Sequence, residues 1–334
     1  MNKNIAFEDF INDIFYGNCS GSMDHNNIYF KHFVNSTQNR STCDAYYHWG
    51  ISPSLPRYVK FAKKQRKPLF LIEDGFLRSL YTYQADVSFE LRSGISFTVD
   101  TKSAYFDAYV ETDLEYLLNT YDITEEERIK AAHVIGLIKT HKLSKYNNQP
   151  VDIPIYGNTK KPKVLIIAQS YGDMSLKCGM VTDDVFKNMI KDAIDDNPNH
   201  EILFKIHPDT IATKTESVFL NESSSKLTVI YDYVNPISLL EQVDKVYVAS
   251  SQMGFEALMC QKEVHVYGLP FYACWGLTHD KMKCERRKRV RTLEEIFYIT
   301  YIKYSYYINP KSGKQCDIED AIEYLLNLRS KFLE

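Results

Sequence analysis

The sequence holds only two tryptophans, thirteen glycines and eleven prolines in 334 residues. So little glycine and proline excludes collagen-like and low-complexity chains. It contains no GxGxxG dinucleotide loop, no Walker-type lysine loop and no HExxH helix, so the motif grounds for NAD-linked, NTP-hydrolysing and zincin chemistry are missing. No DxD pattern falls at a strand end, which points away from a metal-dependent sugar transferase. The seven cysteines (19, 43, 178, 260, 274, 284, 316) are odd in number and form no CxxC pair. They read as reduced thiols of a cytoplasmic protein without a structural zinc site. Apolar runs are strand-length, so no transmembrane helix is expected. Glu8, Asp9 and Asp13 interrupt the apolar residues of the N-terminus, which does not read as a signal peptide. The net charge of −3 gives no global attraction to nucleic acid or to an anionic membrane.

What is present is a soluble globular composition, 44% hydrophobic and 25% charged, with 25 tyrosines suited to pockets that combine stacking and hydrogen bonding. The length suits two domains. In the first half, Tyr46–Gly50 reads as a strand entering a tight turn and 57–66 as a basic helix. Residues 68–72 form a short continuous apolar run, as in a buried parallel strand. That run ends in Glu73 and Asp74, one reading as a ligand-edge carboxylate and the other as a helix cap. Residues 96–106 resemble a hairpin, and helices are predicted from Asp113 and over 125–142. The polar, proline-bearing stretch 147–163 reads as a linker, dividing the chain into domains 1–150 and 160–334. Beyond it, strands at 164–168, 201–206, 227–231, 245–249 and 263–267 alternate with helices. The pattern is that of an α/β protein with a parallel, doubly wound sheet.

The polar residues of this second half cluster after strand ends. Asp173, Lys205, His207, Ser250, Ser251 and the loop 267–280 all follow the carboxyl ends of strands, which in an open parallel sheet border one crevice. Each has a chemical use and a plain one. Ser250 and Ser251 lead into a helix and suit phosphate oxygens, or simply cap the helix. Lys205 and His207, two apart, project to one side and could neutralise a departing phosphate; His207 with Pro208 could equally form a turn. Asp173 could attack or deprotonate at an activated sugar carbon, or close an Asx-turn. The loop YGLPFYACWGLTHD reads either as the wall of a shaped pocket or as a buried structural turn. The basic run 281–291 reads as a solvated face, with an anionic substrate or membrane phosphate as the alternative.

At these residues the chain resembles the KpsC/LipA-type capsule polysaccharide synthesis proteins, retaining β-Kdo glycosyltransferases that use CMP-Kdo. The resemblance is carried by EDGFLRS (73–79), YFDA (105–108), KIHPD (205–209), SSQMGFEAL (250–258), YGLPFYACWGLTHD (267–280) and RRKRVRTLEEIF (286–297). It implies a GT-B-like fold of two Rossmann-like domains facing a central cleft, the first on the acceptor side and the second holding CMP-Kdo. It implies Asp173 as the nucleophile of a double displacement through an aspartyl–Kdo adduct. Glu73 or Asp74 would serve as acid/base for the acceptor hydroxyl. Donor contacts would come from Gln169, Ser175, Lys205, His207, Ser250, Ser251, Glu256, Tyr272 and Trp275. No metal or other cofactor is expected. The partners implied are CMP-Kdo and a glycan or glycolipid acceptor, with peripheral contact to the inner membrane or to capsule-assembly proteins left open, and no nucleic acid. A donor other than Kdo, such as CMP-sialic acid, and a catalytically silent scaffold are the rival readings. The family's larger members carry two such modules and this chain one; it departs from the family pattern in the segment after Ser79 and at Cys274, where glycine is expected.

Overall fold

Continuous apolar runs become strands and amphipathic runs become capped helices along most of the chain. The computed structural model describes residues 18–22, 35–36, 43–170, 172–206 and 227–333. In chain order the first segment comprises β1 (Asn18–Ser22), β2 (Asn35–Ser36), β3 (Ala45–Trp49), α1 (Leu55–Gln65), β4 (Leu69–Asp74), α2 (Phe89–Arg92) and β5 (Ser96–Asp100). The middle segment holds α3 (Asp113–Thr120), α4 (Glu125–Thr140), β6 (Lys163–Ile167), α5 (Met174–Cys178), α6 (Asp183–Asp195), β7 (Glu201–Lys205) and β8 (Leu227–Ile230). It continues through α7 (Pro236–Leu240), β9 (Lys245–Val248), α8 (Met253–Met259), β10 (Glu263–Val266), β11 (His279–Asp280) and α9 (Leu293–Phe297). The chain ends with β12 (Ser305–Asn309), β13 (Lys314–Cys316) and α10 (Ile318–Leu333).

Two compact units result: Met1–Tyr105 with Tyr301–Glu334, and Phe106–Thr300. The first has a mixed sheet in the order β13-β12-β5-β4-β3-β1-β2, in which β3 runs parallel to β1 and β4 while β5 is antiparallel to both β4 and β12. Residues 96–100 are thus a central strand and not half of a local hairpin. The second unit has a wholly parallel sheet in the order β11-β10-β9-β6-β7-β8. Its middle strand β6 is buried throughout and β9 over Val246–Val248, as helices on both faces of a parallel sheet require.

The expected boundary at 150–160 is not where the units divide. Asn147, buried, accepts a bond from the Ser144 amide and donates to the Ser144 carbonyl, both at 2.9 Å. Ser238 Oγ donates to the Val151 carbonyl at 2.6 Å, and the Asn235 amide to that of Pro150 at 3.1 Å. A stretch that reads as a solvated linker is instead strapped over α7 by its own polar groups. The C-terminal segment in turn belongs with the first unit, because β12 pairs with β5 and the Tyr304 hydroxyl donates to Asp100 at 2.8 Å.

In the basic run 281–291 the lysines are exposed, as a solvated face requires, but the arginines are engaged with the protein. Arg286 and Arg287 both reach Glu115 of α3, at 2.6 and 3.1 Å, and only 4% of the Glu115 side chain is exposed. Arg291, fully buried, donates to the carbonyls of Leu118 and Tyr121 at 2.8 and 2.7 Å. Arg289 pairs with Asp122. These cations bind α3 and the turn after it to the segment that follows β11. Glu115→Ala would leave two guanidinium groups without their carboxylate, and breaking a buried pair from one side costs about 3–5 kcal/mol. Urea denaturation of the two proteins checks this; a difference below about 1 kcal/mol would show that the clasp is dispensable.

Candidate functional site at the carboxyl edge of the parallel sheet

Because β6, β7 and β9 run parallel, the residues that follow them share one edge of the second unit. Gln169, after β6, bridges to the loop after β9. Its Oε1 accepts from the Ser250 amide at 2.8 Å and its Nε2 donates to Ser250 Oγ at 3.2 Å. The Ser250 hydroxyl donates to the Ser175 carbonyl at 3.2 Å. Gln169, Ser175 and Ser250 are therefore brought together, with the Ser250 proton engaged inside the protein and not offered outward. Asp173 caps α5, accepting from the Ser175 amide at 2.8 Å, and is exposed.

Beside this network lies a cavity of about 170 Å³. Ile167 and Ala168 after β6, Lys205 and Ile206 at the end of β7, Leu239 of α7, and Ser251 and Glu256 at α8 contribute its walls. Pockets for drug-sized ligands begin at about 300 Å³, so the enclosed part is too small for a whole one. A wider open depression of about 470 Å³, lined by Thr159, Lys163 and Asp244, sits at the amino end of β6, the wrong edge for ligand binding in such a sheet.

Glu256 is completely buried in this wall. Its Oε1 accepts from Ser144 Oγ at 2.7 Å and from Gln252 Nε2 at 3.4 Å, while Oε2 has no hydrogen-bond partner. Burial pushes the Glu256 carboxyl up to about 7, against the opposing pull of the Ser144 and Gln252 bonds and of the Lys145 backbone and charge. Gln149 also lines the cavity, and its side-chain carbonyl oxygen is buried without a partner. Buried acceptors left unsatisfied are uncommon, and two in one cavity suit a ligand that brings O–H or N–H groups. Lys205 supplies the opposite chemistry. Burial lowers its ammonium to about 8, partly offset by Asp232, so it is still mostly charged at pH 7. Its Nζ donates to the Ile206 carbonyl at 2.7 Å, leaving donors for an anion.

Other expected residues have different parts. Trp275 and Tyr272, which the resemblance implies as donor contacts, are fully buried and do not line the cavity. The Trp275 indole donates to the Phe271 carbonyl at 2.8 Å, and the Tyr272 hydroxyl donates to the Ser251 carbonyl at 2.6 Å. A Cβ on Gly254 would come within 2.1 Å of that hydroxyl, so the loop packs directly on the turn that opens α8. The loop 267–280 is thus the buried support of the cavity wall. Cys274 within it has φ +64°, the left-handed region that favours glycine, where the family pattern leads one to expect glycine.

His207 lies outside the described residues. Glu73 and Asp74, at the end of β4, belong to the first unit. No helix follows them for either to cap; Asp74 forms an ion pair with the buried Arg78 at 2.7 Å. Ser144 and Gln149 are cavity residues that sequence reasoning missed, since a polar stretch ending in proline carries no signal separating a pocket wall from a linker.

Two α/β units, one with a wholly parallel sheet whose carboxyl edge holds the polar cavity, define a GT-B-like fold. The chain belongs to the capsule polysaccharide biosynthesis protein family, whose pattern it matches over residues 44–307. It is 34% identical over 294 residues to the capsule polysaccharide modification protein LipA of Neisseria meningitidis serogroup B, covering 85% of this chain and 41% of LipA. It is 32% identical over 286 residues to the lipopolysaccharide-processing protein LpsZ of Rhizobium meliloti, covering 84% of this chain and 63% of LpsZ. The chain therefore spans less than two thirds of the length of these relatives. Among solved structures, Thermosulfurimonas dismutans KpsC, described as a beta Kdo 2,4 transferase, superposes with a TM-score of 0.83 at 36% identity, covering 92% of this chain and 97% of that one. The beta Kdo 2,7 transferase of the same KpsC superposes with a TM-score of 0.71 at 26% identity, covering 93% and 99%. Among the described residues no helix is long and apolar enough to cross a membrane.

The raised carboxyl of Glu256 has a consequence for stability. Between the unfolded value near 4.5 and the folded value near 7, the folded state holds a proton that the unfolded state has released. This contribution to stability is complete below pH 4.5 or so and is lost as pH rises through the window, by up to about 1.4 kcal/mol per pH unit. Glu256→Gln lacks the titration. Wild-type stability relative to that variant should therefore fall by about 1 kcal/mol or more between pH 5 and pH 7 in urea melts. A constant difference across the window would mean that Glu256 is ionised throughout.

Proposed function

We propose that this chain is a retaining β-Kdo transferase module of capsule or related surface-glycan synthesis, taking Kdo from CMP-Kdo. The observation that carries the reading is the cavity between Lys205 and Glu256, on the same sheet edge as Asp173, in a chain 36% identical to a Kdo transferase over nearly its whole length. Lys205 meets the donor phosphate, with Ser251 and His207 as further contacts. The unpartnered oxygens of Glu256 and Gln149 accept from hydroxyl or amino groups of the nucleoside. Gln169, Ser175 and Ser250 act one step back, fixing the loops that carry Asp173 and Ser251.

Chemistry follows from a retained configuration, which needs two inversions. The Asp173 carboxylate attacks the anomeric carbon and CMP departs with the bonding electron pair. An acceptor hydroxyl then attacks the same carbon, gives its proton to a base and releases the aspartate. For that base we propose Glu73 or Asp74, the two carboxylates that end β4. The anomeric carbon of Kdo carries its own carboxylate, so an approaching aspartate meets a like charge, and Lys205 offsets it. A protein cation at the phosphate takes the part a divalent ion plays elsewhere, so CMP affinity in calorimetry should be unchanged by chelator. The exposed cations Arg57, Lys60, Lys63 and Lys64 of α1 form no ion pair among the described residues. We assign them to peripheral contact with anionic lipid, at about 1 kcal/mol per charge near such a surface.

Asp173→Asn keeps the side-chain shape and removes the nucleophile. CMP should still bind while transfer falls by several orders of magnitude. Wild type incubated with CMP-Kdo and no acceptor should gain the mass of one Kdo on the peptide 169–177. An active Asp173→Asn protein, or an adduct on another residue, removes Asp173 from this role. Failure of CMP-Kdo alone among CMP-linked sugars to support transfer refutes the donor.

A further inference from the structure

On the outer edge of the parallel sheet, away from the residues given roles above, two histidines and a glutamate converge. Glu263 and His265 are two apart on β10 and project to one face. His279 on β11 is the register partner of His265. The His265 and His279 rings stack at 4.7 Å, and Tyr247 stacks on the other side of His265 at 4.4 Å. His265 Nε2 lies 2.8 Å and His279 Nε2 3.9 Å from the same atom, Glu263 Oε1. One donor atom from each of the three lies within 4.8 Å of the others, and among the described residues no other such trio of His, Cys, Asp or Glu occurs.

We propose that Glu263, His265 and His279 bind a divalent zinc-class ion that fastens β11 to β10. A tetrahedral ion with bonds of about 2.0–2.1 Å holds its ligand atoms about 3.3 Å apart. The distances to Glu263 Oε1 bracket that value, and the stacked rings must turn about their Cβ–Cγ bonds for both in-plane lone pairs to meet at the ion, which the exposed His279 is placed to do. Two imidazoles and a carboxylate suit zinc, and three protein ligands leave a fourth position for water. Lys245 Nζ, 3.1 Å from Glu263 Oε1, is the resident competitor, and its flexible stem lets it withdraw as the ion enters. β11 has two residues and closes the loop 267–280, so an ion shared with β10 would anchor the end of that loop.

The test is calorimetric titration of the tag-free, chelator-treated full chain with zinc chloride. One ion per chain should bind with a dissociation constant of about 10 µM or tighter. His279→Ala and Glu263→Gln should each weaken binding at least tenfold. His279 is mostly exposed, so its variant should retain the wild-type circular dichroism and separates ligation from folding. Cobalt(II) in place of zinc should give the intense visible bands of a tetrahedral site in wild type and not in His279→Ala. Absence of saturable binding below about 100 µM, or zinc binding that survives both substitutions, overturns the proposal.

Discussion

The Glu115 carboxylate is buried, and two guanidinium groups share it. The arrangement of the cavity wall follows from that contact. Arg287, held at 3.1 Å by Glu115, extends its Nη1 to the carbonyls of Pro270 and Ala273 at 2.5 and 2.9 Å. These carbonyls lie in a loop with no sheet ladder to satisfy them, and an arginine offers five donors in a fixed fork. The same loop sets Tyr272 against the Ser251 carbonyl and the start of α8. A chain of contacts thus runs from the charge pair between α3 and Arg287, through the loop, to Ser251. A well-packed apolar substitute could match its stability. It could not supply donors to two carbonyls at once.

Much of this was legible in the sequence because it depends on local signals. Val164–Ile167 and Val246–Val248 are apolar on both faces, which only a covered parallel strand explains, and both appear as such. The gathering of Asp173, Gln169, Ser175 and Ser250 at one edge follows from strand direction alone. What escaped depends on long-range partners. Asn147 and Gln149 look like linker residues until Ser144 and α7 are placed around them. The arginines at 286, 287 and 291 look like a solvated run until Glu115 and the carbonyls of Leu118 and Tyr121 arrive from some 170 positions earlier. Trp275 and Tyr272 carried a pocket-like composition, and nothing local says that their rings turn inward.

The cavity pairs an acceptor that resists ionisation with a cation that resists protonation. Glu256 near 7 and Lys205 near 8 are both displaced towards neutrality by the same cause, removal from water. An anionic ligand group beside Lys205 would reverse the shift of the lysine and draw a proton to it. A ligand hydroxyl donating to Glu256 would favour its ionised form and release one. The two displacements oppose each other, so occupancy need not change the net proton content of the site by much. Loosely charged groups of this kind cost the empty fold less than a fully ionised buried pair.

The order of segments in the first unit bears on how the chain is made. β5 has β4 on one side and β12 on the other, and β12 lies some 200 residues downstream. On the ribosome, β5 would wait with its Ser96–Asp100 edge unpaired while the whole of Phe106–Thr300 is synthesised. At about 5–20 residues per second that interval lasts about 10–40 seconds. The parallel unit, continuous in sequence, has everything it needs to close first. An open edge that is buried on both faces when complete is a template for pairing with another nascent chain. Chaperone demand during synthesis should accordingly concentrate on the discontinuous unit, although the continuous one contains more residues.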